Sequence, residues 1–139
     1  MKQLKAWFIP ALMIAALFTS SGNAVAGVVA IVNKANISAD KETIGKLYST
    51  QAKSWAGDTT AKLFDQSDEK LRDAFCQTYA GKAASIIKSS WAKAVFSGRG
   101  VPPKMLDSDA DVKAEVAKNK DAVGYIDESS ADGSVRIVR

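Results

Sequence analysis

Apolar residues fall along this chain in three patterns: one long run near the start, several short β-branched runs, and stripes at helical spacing. The long run, Ala6 to Phe18, spans 13 residues and is broken only by Pro10. Lys2 and Lys5 precede it, and the polar stretch Thr19 to Asn23 leads from it into Ala24-Val25-Ala26. Basic residues, an apolar run and small residues at −3 and −1 are what a cleavable secretory signal requires. The run falls short of the roughly 20 residues that cross a bilayer as a helix, so no stable membrane insertion is expected. The reading is a signal peptide over 1–26, cut after Ala26, and one domain over 27–139 in the periplasm or secreted.

Beyond residue 26 the short runs predict strands and the stripes predict helices. Gly27 to Asn33 is a β-branched run closed by Asn, as in a strand buried on both faces. Ser38-Ala39-Asp40 offers a helix cap, and Ile44, Leu47 and Tyr48 follow on one helical face. A polar loop, Ser49–Thr59, leads to a second strand over Thr60–Phe64 that Asp65-Gln66-Ser67 ends. Leu71, Ala74, Phe75, Thr78 and Tyr79 recur at i, i+3, i+4, i+7 and i+8, with Ser67 as the expected N-cap and Gly81 as the stop. A third helix runs from about Ala84 to Phe96, burying Ile87, Trp91 and Val95 or their neighbours, until Ser97-Gly98 and Pro102-Pro103 end it. A fourth starts within Asp107–Asp111 and carries Val112 and Val116. Ala122–Asp127 and Val135–Val138 are the last two strands expected. Strands separated by helices predict an α/β domain with a mostly parallel sheet flanked by helices.

Composition narrows the chemistry. The 113 residues of 27–139 make one domain and not two lobes. Without Lys2 and Lys5 the chain has 17 basic against 15 acidic residues, a net charge of +2. The basic residues are spread among acids, so no stripe for nucleic acid is expected. The chain has no histidine, which removes the usual general base and a common metal ligand. Cys76, the single cysteine, sits on an apolar helical face and reads as a core residue. Asp107-Ser108-Asp109-Ala110-Asp111 shares the alternating acids of a calcium loop but lacks its glycine and its closing glutamate. The expectation is a non-enzyme without metal or cofactor. Two turns could receive a small anion: Gln66 and Ser67 ahead of the second helix with Arg72 one turn in, and Arg99 between Gly98 and Gly100. The plainer roles are a helix-capping Ser67 and a solvated Arg99.

Several pieces taken together, in order, resemble the phosphate ABC transporter solute-binding protein family. They are Val28–Asn33, Ile44-Gly45-Lys46-Leu47-Tyr48, Lys53-Ser54-Trp55-Ala56-Gly57-Asp58, Arg72-Asp73-Ala74-Phe75, Trp91 with Phe96–Pro103, and Val123–Asp127. The resemblance implies one three-layer lobe of a type II periplasmic binding protein standing alone. It also implies phosphate or another small oxyanion as ligand, weakly held, and an ABC transporter, a second lobe or a homodimer as partner. In phosphate binders of the family, the stretch matching Asp65–Leu71 reads Arg-x-Asp/Glu-Gly-Ser-Gly-Thr. Here the arginine position is Asp65, the Gly-Ser-Gly is Asp68-Glu69-Lys70 and the threonine is Leu71. An acid in place of the arginine disfavours an anion, and the lost glycines remove close backbone approach. The second expectation is therefore an interaction or structural protein that keeps the lobe without the ligand site.

Overall fold

The computed structural model describes residues 27–57 and 59–139. The expected signal peptide, residues 1–26, lies outside the described residues, as does Asp58 of the expected loop. Five strands, β1 (Val28–Val32), β2 (Lys62–Gln66), β3 (Lys104–Leu106), β4 (Ala122–Asp127) and β5 (Arg136–Val138), form one sheet in the order β3-β2-β4-β1-β5. The helices are α1 (Lys41–Tyr48), α2 (Glu69–Phe75), α3 (Ala84–Phe96) and α4 (Asp109–Lys118). A π-helical turn over Cys76–Ala80 prolongs α2, and Gly81, at φ 68°, ends it in the left-handed conformation that glycine adopts without strain.

The alternation within β1 explains the three layers. Val28, Ala30 and Val32 face a core built with Ile44, Leu47, Tyr48, Phe75 and Tyr79. Val29 and Ile31 face the opposite core, closed by Val112 and Val116 of α4. A strand buried on both faces needs this unbroken apolar run. Helices α1 to α3 thus cover one face of the sheet and α4 the other.

The α/β lobe matches expectation, and three details differ. First, the expected mostly parallel sheet carries one reversed strand: β2, β3, β4 and β5 share a direction, and β1 is antiparallel to both its neighbours, β4 and β5. Alternating strands and helices suggest crossovers, yet the eight-residue α1 and the Ser49–Ala61 loop return the chain to the end of the sheet where β1 stops. Second, β2 runs two residues further than expected, to Gln66, because it pairs with a short strand, β3, hidden in the Pro-rich connection. Ser67 therefore stays at the strand end, its N–H on the Leu106 carbonyl at 3.0 Å, and Asp68 caps α2 through the Leu71 N–H at 3.1 Å. Third, α3 buries Ile87 and Ala94 while Val95 is half exposed. Asp40, in the stretch expected to cap α1, does so, and Ser108 caps α4 within the expected start Asp107–Asp111.

The π turn has a structural consequence at Tyr79. Its hydroxyl accepts from the Ala30 N–H at 3.0 Å and donates to the Val138 carbonyl at 2.6 Å, joining β1 to β5. Burial pushes this phenol up, so it remains a donor. Tyr79→Phe would leave two buried backbone groups without partners, at a cost of about 1–3 kcal/mol. Urea denaturation should show the midpoint fall with an unchanged slope.

Candidate functional site

Ligands of α/β folds commonly sit beyond the carboxyl ends of the strands. At that end of β2 stands Asp65, half-buried. Its Oδ1 accepts from the Tyr125 hydroxyl of β4, from the Gln66 N–H at 2.9 Å and from Arg72 Nε at 3.4 Å. Arg72 also donates through Nη2 to the Gln66 carbonyl at 3.0 Å and touches the Met105 sulfur at 3.5 Å. Burial opposes the charge on Arg72, but Asp65 and Tyr125 outweigh it and hold the guanidinium firmly protonated.

An aromatic platform fixes this group from below. Phe75 stacks on Tyr125 with ring centres 4.2 Å apart and on Tyr79 at 4.9 Å, and meets the edge of Tyr48 at 4.7 Å. The Tyr48 hydroxyl reaches the Phe64 carbonyl at 2.6 Å. Burial, and then the Asp65 carboxylate, raise both the Tyr48 and Tyr125 phenols, so both stay neutral donors. Cys76 packs into the same core, and burial pushes its thiol up to about 11, far from the thiolate that nucleophilic chemistry needs.

Gln66 is buried, and its amide nitrogen is engaged twice. Its Nε2 donates to Asp109 Oδ1 at 2.7 Å and to the Tyr125 carbonyl at 2.9 Å. Asp109 Oδ2 in turn accepts from the Ser130 hydroxyl at 2.6 Å. The acids of Asp107–Asp111 are thus part of a helix start and of a clasp between β2 and the segment after β4. Ser67 is exposed at the rim. The fold therefore brings Gln66, Ser67 and Arg72 together around Asp65. Arg99 is elsewhere, in the α3–β3 connection with its Nε on the Ser97 hydroxyl at 2.9 Å. A cavity of about 330 Å³ opens beside Asp65, lined by Arg72, Lys88, Ile87, Trp91, Pro103 and Met105 among others.

Tyr125 and Tyr48 are the site residues that sequence reasoning did not single out. Strand alternation places Tyr125 on the same face as Val123. Nothing local indicates that its hydroxyl meets Asp65, 60 positions earlier.

No family model and no curated protein matches the chain. Solved structures do match. A Clostridium perfringens protein described as a phosphate ABC transporter substrate-binding protein with bound phosphate superposes with a TM-score of 0.62 at 25% identity, over 81% of this chain and 44% of that one. An ABC-type phosphate transport receptor from Vibrio cholerae gives 0.52 at 20% identity, over 81% of this chain and 45% of that one. A protein from Planctomyces limnophilus described as phosphate-binding gives 0.53 at 16% identity, over 81% and 40%. The chain spans less than half the length of each. It is thus similar to the phosphate ABC transporter substrate-binding proteins and has the α/β fold of a single lobe of them.

Proposed function

We propose that this chain is an exported, non-catalytic lobe of the solute-binding type that has given up its oxyanion ligand and works through contacts with another protein. A transporter component or a second lobe is the expected partner. The observation that carries this reading is Asp65: its carboxylate already sits on Arg72 and Tyr125, the donors that an incoming oxyanion would need. Asp68, Glu69 and Asp109 add negative charge at the same end of the sheet. Phe96 and Val101, 95% and 83% exposed at the end of α3 and just beyond it, suit a protein contact.

Thermal unfolding tests the reading, because a ligand of the native state stabilises it by mass action, about 2.7 kcal/mol at a hundredfold excess over Kd. Millimolar phosphate or sulfate is expected to leave the melting temperature of the wild type unchanged. The likeness to a phosphate-bound structure favours a second reading, weak oxyanion binding at the same turn. On that reading phosphate raises the melting temperature, Arg72→Ala abolishes the rise, and Asp65→Asn, which removes the competing charge, enlarges it.

A further inference from the structure

We propose that a second cavity, at the amino end of β2 and β3, binds a small organic anion: an apolar body carrying one carboxylate or similar oxyanion head. The cavity holds about 670 Å³, within the range of small-molecule sites. Leu47, Leu63, Phe64, Trp91 and Pro102 give it apolar walls. Lys53, Lys62, Arg99 and Lys104 supply four cations to the lining. Among the described residues none of the four has a carboxylate within 4.0 Å. Among the described residues the lining holds one carboxylate, Glu115, and Lys118 holds it at 3.5 Å. Residues 27–139 carry a net charge of only +2, so this cavity gathers more positive charge than the whole domain shows. Unpaired like charges around one concavity repel one another and focus a positive potential into it, and an anion relieves both.

The lining is held in place before any ligand arrives. The Ala61 N–H bonds the Lys53 carbonyl at 3.0 Å, and Ser54 bridges Thr60, so the strap bearing Lys53 is fixed against β2 beside Lys62. Trp55 anchors the strap by its indole N–H on the Asp121 carbonyl at 3.0 Å. On the other wall Gly98, at φ 73°, turns the chain so that Arg99 leans on Ser97, and Trp91 is set by its indole N–H on the Tyr48 carbonyl at 2.8 Å. Apolar walls are wasted on a bare inorganic ion, whereas a ligand with a hydrophobic body uses walls and cations together.

Naphthalene-2-sulfonate serves as the probe, with neutral 2-naphthol and inorganic phosphate beside it, followed by amide NMR titration of the purified protein. The expected result is saturable sulfonate binding about tenfold tighter than 2-naphthol, a difference of about 1.4 kcal/mol, weakening as salt rises. Shifts should centre on Ala61, Leu63 and Lys104, and phosphate should leave those amides unmoved. The double variant Lys62→Gln, Arg99→Gln should erase the preference for sulfonate while 2-naphthol affinity and melting temperature hold. Equal affinity for sulfonate and 2-naphthol, no saturable binding, or shifts confined to Arg72 and Tyr125 would overturn the proposal. A phosphate response at Arg72 alone bears on the oxyanion reading of the other turn and not on this cavity.

Discussion

Phe75→Ala is expected to destabilise the domain by about 3–5 kcal/mol, the usual cost of emptying a buried phenylalanine position. The ring is fully buried and contacts three tyrosines, so no neighbour can rotate into the void without losing its own hydroxyl partner. Tyr48 is held by the Phe64 carbonyl, Tyr79 by Ala30 and Val138, and Tyr125 by Asp65. A domain of about this size changes its melting temperature by roughly 4–8 °C per kcal/mol, so a fall of more than 10 °C is expected. Phe75→Leu keeps most of the volume and should lose far less. The same variants report on the candidate site, because Phe75 is the surface on which Tyr125 rests. In Phe75→Leu the Asp65–Arg72 pair should loosen, read as broadened Arg72 Nε resonances in a protein that still unfolds cooperatively. Equal losses for alanine and leucine would show that packing volume is not what Phe75 supplies.

Gly45→Ala is expected to cost about 3 kcal/mol, against the grain of helix propensity. Within a solvated helix alanine is favoured over glycine by about 1 kcal/mol. Here α1 crosses the π turn so closely that a Cβ on Gly45 would overlap the Tyr79 carbonyl oxygen, and would lie 3.1 Å from the carbonyl carbon and 3.5 Å from Ala80 Cα. The obstruction is backbone, which cannot swing aside as a side chain can. Overpacking of this kind exceeds the propensity gain. The displaced segment carries Tyr79, so the bonds from its hydroxyl to β1 and β5 should weaken together. Chemical denaturation would show the loss, and faster amide exchange at Ala30 would show its route. A stabilised Gly45→Ala protein would mean that α1 and the π turn stand further apart than described.

The elements were legible in the sequence where one local cause sufficed. The β-branched run of β1, the stripe through Leu71 and Phe75, the cap at Asp40, the start of α4 within Asp107–Asp111 and the stop at Gly81 each follow from residues within a turn or two. Where two distant segments had to meet, local reading failed. β3 has only three residues, Lys104–Leu106, none of them buried, and it exists because β2 pairs with it. That pairing lengthened β2, moved the cap from Ser67 to Asp68, and drew Gln66 into a buried hydrogen-bond network.

Sequence alone determined the α/β alternation and the both-faces burial of β1, since these depend on residue identity and short-range periodicity; that Asp65 takes an arginine's place is what the family resemblance implies. Sequence also determined that charge is evenly mixed along the chain. Tertiary structure decided the rest. It alone made the sheet mixed, because the direction of β1 depends on how the Ser49–Ala61 loop returns. It alone brought Tyr125 onto Asp65, which makes this acid part of a closed internal pair. It also gathered Lys53, Lys62, Arg99 and Lys104, scattered over some fifty positions, around one cavity. Charges that look dispersed in one dimension share one field when folding places them around the same cavity, because electrostatic energy depends on distance in space and not along the chain.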